Sequence, residues 1–273
     1  MCSDVEISKD DIIKLRDITG AGFVNCQKAL LEACGDITKA INVLRINGIK
    51  LSQKREGNDI KNGSSFTCVN DSGDFGAIVC LRCETDFVAK TDIFQDFLKK
   101  TCDYCVKNKI VDKNDIMINN NHIDDELALL VSRTGEKICF EYYFLAGEHM
   151  ACYHHFNGRS SVLVSWNGEN NDANIDICND ICLQICAMKP LYLSRDDLEV
   201  HVLEKEKELI RSEIKNIDNN DMLERIINGK LERFYKEKVL LDQEFVKDNH
   251  IIIKNIIKEH NIKINAFKHI SIP

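Results

Sequence analysis

The sequence predicts an α+β chain: a small three-helix bundle, then two related α+β units, the second interrupted by a helical hairpin. Three observations carry this reading. Capped apolar segments at helical spacing fill residues 1–48. The order strand, turn, strand, helix occurs twice, with Gly73 and Gly158 aligning without a gap. Residues 195–239 hold two charged segments that share a thin apolar seam.

Ser8, with Asp11 three residues on, forms a capping-box pattern ahead of Ile12, Leu15 and Ile18, and Gly20 supplies a left-handed stop. Asn25 reads as the cap of a second helix carrying Ala29, Leu30 and Ala33 and ended by Gly35. Asp36 caps a third, with Ile37, Ala40, Ile41 and Leu44 at helical spacing up to Gly48. Together these make one helical domain, residues 1–48. From Ile49 to Gly63 the chain is polar and aperiodic, and reads as a linker.

Residues 64–140 form the first core unit. Ser65 to Val69 and Ala77 to Cys83 are β-rich runs around the turn residues Asn70 to Asp74, and a helical pattern follows from Asp92 to Val106. Residues 141–273 repeat the order. Cys152 to His155 and Ser161 to Trp166 flank a turn containing Gly158, and Ile175 to Met188 is helical in pattern. The run Asp74 to Leu81 lies over Arg159 to Trp166, which reads as an internal duplication.

Inside the second unit, a long charged helix starts at Ser194 and passes through Leu198, Val202 and Leu209 to about Lys215. A second runs from Asp221 to Lys238 with Leu223, Ile227, Leu231 and Phe234, and Asn216 to Asp221 is the turn between them. Such a hairpin is a projection used more often for contacts than for a core; dimerisation through it is one expectation. From Leu240 the chain reads strand, helix (Asn249 to His260) and strand (Ile262 to Ile270), completing the unit around the insertion.

Composition narrows the function. The 273 residues are 44% hydrophobic and 29% charged with 2 Pro, the profile of an ordered chain. A net charge of -8 without a dense Lys/Arg cluster argues against nucleic acid as a direct partner. Apolar runs such as Phe75 to Leu81 fall far short of the ~20 residues that span a bilayer, so no membrane partner is expected. The first residues lack the apolar region of a signal peptide and the Arg-rich character of a transit peptide, so the bacterial cytoplasm is the expected location. Thirteen cysteines, an odd number without a secretory signal, are expected as reduced thiols.

The run Thr-Gly-Ala-Gly-Phe-Val-Asn-Cys-Gln-Lys-Ala-Leu, Thr19 to Leu30, continued by Gly35 to Ile37, resembles the N-terminal signature of the elongation factor Ts family. Cys-Glu-Thr-Asp-Phe-Val-Ala-Lys, Cys83 to Lys90, is similar to the second family signature, and Tyr153 to Val164 to a third. Fainter similarity covers Lys189 and Pro190, Leu241 to Val246, and Lys258 to Asn261. Three places depart from the pattern. The family usually has Met or a similar residue followed by an acid at Phe23 to Asn25, Asn at Arg82, and Gly at Ser161. The resemblance implies a ubiquitin-associated-like (UBA-like) helical domain, two α+β core subdomains and a coiled-coil insertion in the second. It also implies a guanine-nucleotide exchange factor for elongation factor Tu that acts by binding, with no catalytic residue, cofactor or metal of its own.

Three segments are the candidate contacts. Thr85, Asp86, Phe87 and Val88 set an acid beside an aromatic at the exit of a strand, and an exposed Phe usually has a partner. In the family this pair intrudes beside the Mg2+ and phosphate site of the GTPase. His155, Gly158 and Arg159 match the family's contact segment in the second subdomain, although a solvated hairpin tip is the plainer alternative and the adjacent His154 leaves the choice of imidazole open. Thr19, Gly20, Ala21 and Gly22 are small residues that allow close backbone approach; a plain interhelical turn is the alternative.

A rival reading is a zinc-binding or thiol-based regulatory protein. Cys80 and Cys83, then Cys102 and Cys105 after 18 residues, match zinc-ribbon spacing. Against it, Cys80 and Cys83 lie three apart in a strand, which points them to opposite faces. Cys178, Cys182 and Cys186 share one helical face and read as buried small hydrophobes. Asp196 and Asp197 have nothing apolar beside them to shift a pKa and read as a solvated face.

Overall fold

The computed structural model describes residues 7–118, 120–213 and 220–273. Helix α1 (Lys9–Thr19) is capped as its sequence requires. Ser8 Oγ accepts from the Asp11 N–H at 3.0 Å, and Gly20 closes the helix in the left-handed conformation at φ 66°. Helix α2 (Phe23–Glu32) begins before the expected cap Asn25. Gly22 is the N-cap, and its carbonyl already accepts from Cys26 N at 3.0 Å. Helix α3 (Ile37–Lys54) starts where expected, with Asp36 Oδ1 accepting from Lys39 N at 3.0 Å.

Helix α3 does not stop at Gly48. It continues through residues 49–54, because Leu51 extends its apolar stripe and packs against the core of the first α+β unit. The first six of the fifteen residues read as linker are therefore helical. Gly48 is there for proximity: a Cβ at this position would stand 1.9 Å from the Ala128 carbonyl oxygen of α6 (Ile123–Thr134). The bundle core of Ile12, Leu15, Cys26, Ala29, Leu30, Ala40 and Leu44 is completed by Leu129 of the same helix. The N-terminal helices thus use the first core unit to finish their own interior.

That unit is a three-stranded antiparallel sheet in the order β1 (Asn62–Val69), β2 (Phe75–Cys83), β5 (Ile138–Ala146). Between β2 and β5 come α4 (Asp86–Ala89), α5 (Asp92–Lys107), the small pair β3 (Met117–Ile118) and β4 (Asn121–His122), and α6. Strand β2 is buried on both faces. Ala77, Val79, Leu81 and Cys83 meet Phe94, Leu98, Cys102 and Cys105 of α5, while Ile78 and Cys80 point the other way, to Leu163, Ile270 and Ile272 of the second unit. Because β5 pairs with β2 through Ala146, the expected boundary at 140/141 falls inside a strand of the first sheet.

The second sheet repeats the topology. Its order is β6 (His149–His154), β7 (Ser160–Asn167), β10 (Lys263–Ser271), again a hairpin whose second strand becomes central when a later strand joins it antiparallel. Helix α7 (Asp172–Met188) covers it with Cys178, Ile181, Cys182 and Ile185, joined by Ile253, Ile256 and Ile257 of α10 (Ile253–Glu259). The expected helix from Asn249 is shorter. Its first residues form β9 (Asp248–Ile252), paired with β8 (Glu244–Phe245), as a β-branched run next to a turn favours.

Within this unit, α8 (Val200–Glu213) and α9 (Asn220–Lys238) pack through Ile210, Ile227 and Leu231. Helix α8 begins later than Ser194. A 3-10 turn precedes it, in which the Asp197 carboxylate accepts from the Ser194 N–H at 2.7 Å and its hydroxyl at 2.9 Å. Residues 214–219, which include most of the expected turn Asn216 to Asp221, lie outside the described residues, as do residues 1–6 of the helical domain. The root of the hairpin is pinned where Leu191 and Tyr192 N–H both donate to the Lys238 carbonyl.

Candidate functional site

Strand β2 ends at Cys83, and the chain turns at once into α4, a single helical turn. Thr85 is its N-cap, with Oγ1 accepting from Val88 N at 3.4 Å. Val88 and Ala89 turn inward onto the core of the first unit, which leaves Asp86 and Phe87 outward. Phe87 is 80% exposed. A rigid turn, rather than a loose loop, presents the pair.

The turn is fastened from three directions. Both Glu136 carboxylate oxygens hold Thr85, one accepting from its N–H at 3.0 Å and the other from its hydroxyl at 2.6 Å. Glu84 accepts from Arg55 at 2.8 Å, Asn58 at 2.8 Å and the Lys137 N–H at 2.7 Å. The Asn62 amide donates to the Glu84 carbonyl at 2.8 Å. The Lys137 N–H and Arg55 keep the Glu84 carboxyl below its usual range, and Asp86 is lowered by its bond to Lys90 (2.7 Å) and further by the charge of Arg159.

Arg159 comes from the second segment, the tip between β6 and β7, over seventy positions along the chain. Strand β1 joins the two. Its first residue, Asn62, holds the Asp86 turn, and two positions on, Ser64 Oγ donates to the Gly158 carbonyl at 3.1 Å while Ser65 N donates to the same oxygen at 2.7 Å. Gly158 is required twice over: φ is 71°, and a Cβ would meet Ser64 Oγ at 2.5 Å. Ser161, where the family pattern has Gly, bonds Ser65 Oγ at 2.9 Å and so adds to the clasp. Arg82, the other core departure, pairs with Glu141 at 2.6 Å.

The two histidines of the tip are sorted by their surroundings. His154 lies 5.1 Å from the Phe66 ring and 3.4 Å from Ser161 Oγ, and burial pushes its pKa down. His155, also half-buried, is bonded through Nδ1 to the Tyr153 hydroxyl at 2.9 Å and leans on the Phe156 ring at 4.5 Å. Arg159 is anchored by the chain terminus: it donates from Nη1 to the Pro273 carbonyl at 2.9 Å.

The third segment is divided. Thr19 and Ala21 are buried, with Thr19 Oγ1 donating to the Leu15 carbonyl at 2.6 Å. Gly20 is hemmed in by Arg133, which donates to the Thr19 carbonyl. Only Gly22 has open space around it. The exposed apolar groups here are the flanking Ile18, Phe23 and Val24, which reading the loop residues alone missed. Arg133 and Glu136 lie three residues apart at the end of α6, so one helix terminus fastens both the Thr19–Gly22 loop and the Asp86 turn. Neither residue carries a sequence signal beyond its charge.

The four cysteines of the zinc-ribbon spacing are divided between two clusters. Cys80 belongs to the seam between the sheets, whereas Cys83, Cys102 and Cys105 lie in the core of the first unit. Burial pushes the thiols of Cys80, Cys83 and Cys105 up to about 12. Among the described residues there is no group of three or more His, Cys, Asp or Glu suited to a metal ion. The zinc reading is not favoured by this arrangement. No helix is long and apolar enough to cross a membrane among the described residues.

A family profile described as Elongation factor TS matches residues 84–272. Elongation factor Ts of Halothermothrix orenii is 35% identical over 96% of this chain and 90% of its own length. That of Amoebophilus asiaticus is 37% identical over 90% and 91% respectively, and that of Aquifex aeolicus 32% over 96% of each. With its fold and most of its length accounted for in this way, the chain belongs to the elongation factor Ts family.

Proposed function

We propose that this chain, as a guanine-nucleotide exchange factor in translation elongation, releases GDP from elongation factor Tu by inserting the Asp86–Phe87 turn beside the Mg2+ and phosphate site. The observation that carries the reading is the joining of two contact segments into one surface. Strand β1 clasps both segments, through Asn62 to the Glu84 carbonyl and through Ser64 and Ser65 to the Gly158 carbonyl. A partner touching the Asp86 turn therefore meets His155 and Arg159 on the same face.

The chemistry is competitive and non-covalent. Mg2+ holds near-ideal octahedral geometry, and phosphates need an ordered cradle of backbone N–H groups. An intruding ring displaces the cradle, and a carboxylate competes for the cation. Phe87 is spent on nothing inside its own chain, and the fastening of Thr85 means that little ordering is lost on contact. By linkage, a factor that weakens GDP binding a thousandfold binds the empty GTPase about 4 kcal/mol more tightly than the loaded one. No bond is made or broken, so the protein is not an enzyme in the covalent sense and needs no cofactor.

The residues around Thr19–Gly22, with exposed Ile18, Phe23 and Val24, form a further contact for the same GTPase. The hairpin carries exposed Val200, Leu209 and Met222, and a homodimer through it is the accompanying proposal, read by sedimentation. We place the protein in the bacterial cytoplasm, with no direct contact to nucleic acid or membrane.

The test is release of a fluorescent GDP analogue from elongation factor Tu, with wild type, Asp86→Ala and Phe87→Ala. Acceleration by wild type that weakens in both variants supports the reading. Acceleration untouched by either variant removes the site, and no acceleration removes the function.

A further inference from the structure

Phe87 is not the most exposed large apolar side chain among the described residues. Phe156 is, at 90%. It stands at the tip between β6 and β7, and its ring lies 4.5 Å from that of His155. The turn does not need it. Asn157 Oδ1 accepts from the Arg159 N–H at 2.9 Å, Gly158 N donates to the His155 carbonyl at 2.8 Å, and His155 N donates to the Ser160 carbonyl at 2.9 Å. All of these bonds would survive any side chain at position 156.

The base beneath it is rigid. The Gly158 carbonyl is clasped by Ser64 and Ser65, and Ile272 N donates to the Arg159 carbonyl at 2.8 Å. An aromatic ring fixed on such a base, with a guanidinium three residues on, has the composition and preorganisation of an interface anchor. The occupant follows from continuity. Strand β1 holds both segments, Asn62 bonding the Glu84 carbonyl at the root of the Asp86 turn and Ser64 bonding the Gly158 carbonyl, so whatever receives Asp86 and Phe87 also covers the neighbourhood of Phe156.

We propose that Phe156 is a second aromatic anchor for the GTPase, separate in action from the Phe87 wedge. This rests on the exchange reading above and goes beyond it by assigning the two rings different tasks. Phe87 has a carboxylate beside it and acts on the cation and phosphates. Phe156 stands beside Tyr153, His155, Asn157 and Arg159, none of which is an acid that competes for Mg2+. Its contact therefore holds the loaded and the empty GTPase alike, setting affinity rather than the maximal rate.

The test is the rate of GDP-analogue release from elongation factor Tu as a function of the concentration of this protein. Phe156→Ala is expected to raise the half-saturating concentration about tenfold or more while leaving the plateau rate unchanged, and Phe156→Tyr to restore most of the loss. Phe87→Ala is expected to lower the plateau. A Phe156→Ala curve that overlays wild type overturns the anchor and leaves the exchange reading standing, and a lowered plateau overturns the division of tasks. Wild type that fails to accelerate release overturns the exchange reading itself, and the anchor with it.

Discussion

Glu136 and Thr85 meet at two points, 51 residues apart in sequence: one carboxylate oxygen takes the Thr85 N–H at 3.0 Å and the other its hydroxyl at 2.6 Å. The grip fixes the first residue of the turn that carries Asp86 and Phe87. Charged acceptors of this kind contribute about 1.5–3 kcal/mol each when well placed.

Glu136→Ala is expected to release the turn without unfolding the sheet. Most of the penalty falls on the orientation of Phe87, so the rate of GDP release should fall about tenfold, the kinetic equivalent of roughly 1.4 kcal/mol. Glu136→Gln keeps one acceptor and should fall between. Exchange kinetics beside a thermal melt separate this from general destabilisation; an unchanged rate would mean that the grip is dispensable.

Gly48→Ala pits two effects against each other. Alanine gains about 1 kcal/mol of helix propensity in α3. Its Cβ, however, would stand 1.9 Å from the Ala128 carbonyl oxygen, and backbone cannot yield as a side chain tip can. Overpacking of about 1–3 kcal/mol should win, prising the bundle from α6. Faster proteolysis between the helical domain and β1 is the readout, and a variant more stable than wild type would show that α3 slides freely.

Leu163 lies fully buried between the sheets with Ile78 and Ile270. Leu163→Ala should cost about 2–5 kcal/mol in denaturant unfolding. Because this seam backs the clasp of Ser65 on Gly158, amide exchange at Ser65 should quicken more than at Val79 in the centre of the first sheet.

Stability should decline as pH falls from about 7 toward 5. Burial lowers the pKa of both His154 and His269, the first also through His155 and the second through Lys189. Each is kept neutral in the fold, so the unfolded chain takes up its protons first, near the ordinary histidine value of about 6.5. The stability present above that pH is lost as pH falls through the lowered folded values. Urea midpoints at two pH values test this. His154→Phe combined with His269→Gln should flatten the dependence, Gln keeping a partner for Ser160, which bonds His269 Nε2 at 2.9 Å.

Much of the fold was legible in the sequence because it rests on local pattern. Ser8 and Asp36 are caps in fact as in expectation, and the doubled strand, turn, strand, helix order returns as two sheets of one topology. Misreadings came where a local signal was overridden. Gly48 looks like a stop yet serves a close helix crossing, and Asn25 looks like a cap yet sits inside α2 because the Gly22 backbone does that work. Helix α6 and strand β5 went unassigned, although α6 supplies Leu129 to one core and Arg133 to one candidate contact segment, and Glu136, just past its end, holds another.

The sequence by itself determined most of the elements, their order and the family, since periodicity, caps and signature motifs are properties of neighbouring residues. Only the tertiary structure decided that strand β1 clasps both the Asp86 turn and the Gly158 tip, that His154 packs on Phe66 while His155 bonds Tyr153, and that Phe156 stands bare. Those facts depend on which strand covers which. The Ser65 to Gly158 bond that settles them joins residues 93 apart, where no local spacing rule reaches.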